Sequence, residues 1–452
     1  MNVSPIARNI SSLLLWAVCS CTFTVSAATQ QRAPGSKPGQ VQSEQIVAQL
    51  REAASLLESG RAPEAEPILR RVLVASPNNS DAHNLLGIVL DQAGKTAEAE
   101  REYREALRLN PKFVSPLANL GILFTRTQRI PQAIDAFLSV LRISPDHPQA
   151  TMNLGVLYTS RGEYERAVEL LKRAREIHPD SFDILYNLGI SLYNLKRYDE
   201  ATIALQSAAS LSPGTPEPLY FLGLIAYARN LDETARELWE RALTLNQNYA
   251  EANFMLGELS VKRNDYSTAK TYYEKALSQD AAKVVYQIRL GGAYLYLHDF
   301  NRAFEVFKNA SERFPRVSET HYFLSVTARA RGESNLALIA LKKALAINPN
   351  YADALALFGA ILLDKGDVAE AKKLLGKAIQ ANSNNYNANY ELGRLLTKQQ
   401  KYSEALTLLQ RASRILPENG EVHYQLFLTY SRLNRRDEAR QELEIFKSLN
   451  KK

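Results

Sequence analysis

Six histidines are the first residues in this 452-residue chain that could carry proton or metal chemistry: His83, His147, His178, His298, His321 and His423. No His-x-x-x-His pair, phosphate-binding glycine loop, Gly-x-Ser-x-Gly elbow or calcium loop accompanies them. Carboxylates are abundant, but they fall at solvating spacings and do not converge as an acid–base pair. The two cysteines, Cys19 and Cys21, are too few for a disulfide framework or a cysteine-held metal. An enzyme is therefore not expected, and neither is a cofactor or a metal. The 55 Lys and Arg exceed the 48 Asp and Glu by +7, without a basic run, so nucleic acid is not an expected partner. Three of the histidines, His83, His321 and His423, are separated by whole multiples of 34 residues, which directs attention to the element that repeats.

Glycine recurs every 34 residues at Gly87, Gly121, Gly155, Gly189, Gly223, Gly257 and Gly291, and again at Gly359 and Gly393. Alanine holds a second column in all twelve repeats, from Ala65 to Ala439. Counting from Ile46, the glycine is position 8, the alanine position 20, and those histidines position 4. Apolar residues at positions 4, 7, 8 and 11 share one helical face, and those at 20, 24, 27 and 28 share another. Position 15 is Gly or Asn in eight repeats, which suits a helix C-terminus. Position 32 is Pro in eight, which stops the second helix. Each repeat is thus expected to be a helical hairpin. Gly at position 8 and Ala at position 20 are expected to let its two backbones approach closely. One hairpin cannot bury both apolar faces, so the hairpins must stack.

These columns resemble the tetratricopeptide repeat, and Asn187-Leu188-Gly189 through Tyr198-Asp199-Glu200-Ala201 lies close to its consensus. The resemblance spans 46–452. It implies an all-α fold, a right-handed superhelical solenoid of tandem helical hairpins. The family's tryptophan at position 4 is absent, and the outer repeats are degenerate: Glu52 and Pro67 mark the first, Phe427 and Lys447 the last. Both read as caps.

In this family the first helix of each pair lines the concave side through positions 2, 5, 9, 12 and 13. Carried onto this chain, that gives a ligand groove of Tyr186, Ile190, Tyr193, Tyr220, Leu224, Tyr227, Phe254 and Tyr322. Such amphipathic aromatics suit a binding surface, although tyrosine at position 5 also suits packing against the next hairpin. Asn119, Asn153 and Asn187 stand at position 6 of three consecutive repeats. They resemble the asparagine ladder of O-linked N-acetylglucosamine transferase, which holds extended peptide backbones. A carboxamide can donate and accept irrespective of the ligand's sequence.

The N-terminus carries Arg8, an apolar run from Leu13 to Val18, and small residues before Ala28. That is the layout of a secretory signal cleaved after Ala27. Residues 28–45 then read as a flexible spacer and 46–452 as the solenoid. Val18-Cys19-Ser20-Cys21 also resembles a lipoprotein box, which would lipidate Cys21 and tie the chain to a membrane. The expected function is an exported, periplasmic or secreted, non-catalytic scaffold that binds a peptide or protein segment in its groove. The alternative is a scaffold for envelope assembly or polysaccharide export, as an outer-membrane lipoprotein. Self-association through Phe427 and the C-terminal end stays open.

Overall fold

A computed structural model describes residues 38–450, so the expected signal sequence, both cysteines and most of the expected spacer lie outside the described residues. The described chain is entirely helical, with twenty-four helices from Pro38–Glu58 to Arg436–Leu449 and no strand among the described residues. The first helix begins at Pro38, eight residues before Ile46, so part of the segment read as a spacer is helical. Helices pair consecutively into twelve hairpins on the 34-residue period. They form two compact units, hairpins 1–6 up to Leu245 and hairpins 7–12 from Asn246. Each unit is an α-solenoid in which a hairpin packs on the one before and the one after it.

Within a hairpin the core is built by size complementarity. Alanine at position 20 is wholly buried in hairpins 1 to 11. The glycine at position 8 makes room for the bulky side chain at position 24 of its own hairpin. A Cβ on Gly87 would meet Tyr103 at 2.6 Å, one on Gly121 would meet Phe137 at 2.6 Å, and one on Gly257 would meet Tyr273 at 2.5 Å. The atoms nearest such a Cβ belong to a ring or a leucine at position 24, and at Gly359 the position-20 backbone, Ala371 O at 3.2 Å, joins Leu375. Removing such a side chain or crowding it costs on the order of 1–5 kcal/mol.

All twelve turns inside the hairpins place position 15 in the left-handed region. The residues are Gly or Asn at the eight positions expected, and Gln128, Lys196, His298 and Gln400 at the remaining four. Neighbouring hairpins are tied by polar contacts as well as by packing. Tyr294 Oη donates to Glu274 at 2.6 Å, Gln410 Nε2 donates to Tyr430 Oη at 2.8 Å, and the Thr159 and Ser191 hydroxyls meet at 2.8 Å. The final helix, Arg436–Leu449, buries only Ala439. Its apolar residues are otherwise partly solvated.

Candidate functional site

The two helices of a hairpin carry different side chains, although exposed apolar residues such as Val74, Ile203 and Ile339 stand on second helices. Second helices carry local ion pairs, among them Arg70 with Glu66, Arg104 with Glu100, Arg236 with Glu233 and Arg435 with Glu438. Such exposed pairs solvate a surface and add little stability. First helices are apolar and aromatic, and their charged residues are spent largely on tying one hairpin to the next. Arg126 pairs with Asp91, Arg289 with Glu258 and Arg329 with Asp364, each across a joint.

In hairpins 5 and 6 the first helices, Phe182–Asn194 and Glu217–Ala228, bring a ring cluster together. Phe221 is its hub, with ring centroids at 6.0 Å from Tyr186, 5.7 Å from Tyr193 and 5.5 Å from Tyr220. Phe182 stacks on Tyr186 at 5.4 Å, Tyr198 lies 6.0 Å from Tyr193, and Tyr227 lies 5.9 Å from Trp239. The Trp239 indole N–H donates to Tyr220 O at 3.1 Å.

The eight residues expected to line a groove divide by burial. Tyr220 is 3% exposed, Ile190 4% and Phe254 7%, so these three are core residues in this state of the protein. Phe254 packs 4.9 Å from Tyr286 and 5.7 Å from Tyr273. Tyr186, Tyr193, Leu224, Tyr227 and Tyr322 are half-buried and keep part of their surface in solvent. Burial raises the Tyr186 hydroxyl well above the usual range, with Glu217 adding to it, and raises Tyr193 in the same way. Tyr322 is pushed up to about 12, by burial first and by the nearby Asp353 second.

The three position-6 asparagines are partly committed within the protein. Asn153 Nδ2 donates to Gln149 O at 2.9 Å and Asn187 Nδ2 to Asp183 O at 2.8 Å, each on its own helix. Asn119 Nδ2 donates across a joint to Asn84 Oδ1 at 3.2 Å. One amide N–H and the carbonyl of each carboxamide remain for other partners.

Phe221 and Phe182 were not singled out from the sequence. The signal was present at position 6, where the asparagine series Asn119, Asn153, Asn187 gives way to Phe221. A second aromatic group, in the other unit, joins Tyr322 to Tyr351 at 5.0 Å and stacks Tyr386 on Tyr390 at 5.8 Å. Carboxylates border it: Asp353 accepts from Asn385 Nδ2 at 2.7 Å and Glu421 from Tyr390 Oη at 3.2 Å. Among the described residues no group of three His, Cys, Asp or Glu side chains could hold a metal ion. No described helix is long and apolar enough to cross a membrane.

Three family profiles match parts of the chain. The profile of the C-terminal domain of cilia- and flagella-associated protein 70 matches residues 229–450. That of anaphase-promoting complex, cyclosome, subunit 3 matches 126–208, and the tetratricopeptide repeat profile matches 50–112. No curated protein sequence matches. Among solved structures, yeast Tom70 is similar at 14% identity over 88% of this chain and 97% of its own, with a TM-score of 0.40. The Cut9–Hcn1 hetero-tetramer of the APC/C gives 14% identity, 91% and 95% coverage and 0.46. YrrB, a TPR protein with an unusual peptide-binding site, gives 22% identity, 41% and 96% coverage and 0.37. Twelve helical hairpins on a 34-residue period give the described residues the tetratricopeptide repeat architecture, and the repeat profile itself matches 50–112.

Proposed function

We propose that this protein is a non-catalytic scaffold that holds a segment of another polypeptide against the first helices of its hairpins. The carrying observation is the ring cluster on the first helices of hairpins 5 and 6. Ion pairs solvate the second helices, whereas the first helices of hairpins 5 and 6 offer the half-buried Tyr186, Tyr193, Leu224 and Tyr227. Rigid aromatic side chains with a polar tip give contact area at low entropic cost, and binding energy concentrates on a few of them. Asn153 and Asn187, each with a free carbonyl, lie in the same series of first helices and suit an extended backbone.

The test places a photo-crosslinking amino acid at Leu224 or Tyr227, and at Ile203 on the second helix of hairpin 5 as the contrast. Ile203 is 62% exposed. Crosslinked polypeptide from the first-helix positions alone supports this reading. Crosslinks from Ile203 alone would place the binding face on the second helices and overturn it.

Export is proposed on the sequence of residues 1–27 alone. Intact mass of the mature protein distinguishes a chain starting at Ala28 from one starting at an acylated Cys21.

A further inference from the structure

Three hairpins carry histidine at position 4, and two of them use it identically. His83 places Nε2 2.9 Å from Pro77 O of the preceding hairpin and Nδ1 2.7 Å from Glu102. His423 repeats this with Pro417 O at 2.9 Å and Glu442 at 2.6 Å. In both hairpins the ring bridges a carbonyl of the preceding hairpin and a carboxylate of its own. Each of these joints is thus closed by an internal carboxylate.

His321 has only half of this arrangement. Its Nε2 lies 3.1 Å from Pro315 O. Nineteen residues on, where the other two hairpins have Glu102 and Glu442, this one has Ala340. His321 is nevertheless 5% exposed. One turn beyond Ala340 stands Lys343, where hairpin 2 has Glu105 and hairpin 12 has Ile445. The joint has lost its carboxylate and gained a cation. Beside it lies a cavity of about 450 Å³ lined by Pro315, His321, Lys343 and Ile347, with Ser311, Glu312 and Ala346 completing the wall. That volume is in the range of sites for small ligands or a single side chain with its flanking backbone.

We propose that this joint between hairpins 8 and 9 binds a carboxylate from outside the chain, which takes the place that Glu102 and Glu442 fill in the other two. His321 Nδ1 and Lys343 Nζ are its donors, and Ile347 packs against the carbon atoms behind it. With Nε2–H committed to Pro315 O, a neutral ring has only a lone pair at Nδ1. The ring therefore takes up a proton as the carboxylate binds. The charged groups lining the cavity with it are Lys343 from the second helix of hairpin 9 and Glu312 from the second helix of hairpin 8. Lys343 attracts the ligand and Glu312 repels it. This inference is independent of the first-helix face.

The experiment follows the histidine ring signals of the full-length protein by NMR, with His321 identified through His321→Asn. The probes are propionate, a blocked alanyl-glutamyl-alanine peptide, and the glutaminyl counterpart of that peptide. A saturable shift of His321, with His83 and His423 unmoved, is the expected result. Lys343→Ala should weaken binding about tenfold, as for loss of one charge-assisted hydrogen bond. Glu312→Gln should tighten it, and Ala340→Glu, which restores an internal carboxylate, should abolish it. Both Lys343 and Glu312 are exposed, so their variants stay informative if Ala340→Glu fails to fold. Equal affinity for propionate and the glutamyl peptide points to a small free acid, and tighter peptide binding points to an acidic polypeptide segment. No shift of His321, a uniform shift of all histidines, or an equal response to the glutaminyl peptide would overturn the proposal.

Discussion

The indole nitrogen of Trp239 lies 2.3 Å from where a Cβ on Gly223 would be built. Trp239 is wholly buried and its N–H is held by Tyr220 O. The ring therefore cannot swing aside without leaving both its cavity and its acceptor. Gly223→Ala should lower the stability of the first unit by roughly 1–3 kcal/mol. Thermal unfolding followed by circular dichroism checks this, and an unchanged midpoint would mean that the indole has slack the packing does not suggest.

Tyr158 offers the opposite case, a buried hydroxyl with no hydrogen-bond partner. The tyrosines at the same position in two other hairpins, Tyr294 and Tyr430, reach Glu274 and Gln410, each twenty residues upstream. Twenty residues upstream of Tyr158 is Leu138. Leu138→Gln should supply the missing partner and stabilise the joint by about 1 kcal/mol. The same substitution in a Tyr158→Phe background should give no gain, and a gain there would assign the effect to something other than this bond.

Much of the fold was legible because the period never slips. With no insertion in twelve repeats, each column can be read as one environment, and the helices, turns and stop signals follow. What a column cannot encode is which residue meets it. The glycine column does not show that its nearest side chain stands at position 24, where Tyr103, Phe137 or Trp239 vary in shape around a constant gap. The same limit applies to the candidate site. Tyr186 and Tyr220 occupy one column, but Tyr220 is buried beneath Phe221 and Trp239 while Tyr186 keeps part of its surface. Their difference is set by side chains outside the column, here Phe221 and Trp239 of Tyr220's own hairpin.

Turn geometry yields a backbone prediction. Gln128, Lys196, His298 and Gln400 adopt φ of 60°, 59°, 57° and 63° at the position where other hairpins use glycine or asparagine. A side chain there costs on the order of 1 kcal/mol. Lys196→Gly should recover about that much, and Gly94→Ala should lose a similar amount, because a Cβ on Gly94 meets nothing within 4 Å and only backbone strain is tested. Urea midpoints for the two variants should move in opposite directions.

Alkaline solution should loosen the protein through its buried tyrosines, several of which lie in the second unit. Tyr322 is raised to about 12 by burial and Asp353, and Tyr386 to about 12 by burial, Glu421 and Glu391. Tyr351 and Tyr390 are raised further in the same direction, chiefly by burial. An unfolded tyrosine ionises near pH 10. Below that pH both states are neutral and the stabilisation is fully present. Between about 10 and 12 the unfolded chain loses the proton while the folded one keeps it, so stability falls as pH rises through that window. Tyr322→Phe removes one such group and should flatten the dependence of the urea midpoint on pH above 10. An unaltered slope in that variant would show that Tyr322 ionises in the folded protein as it does in water.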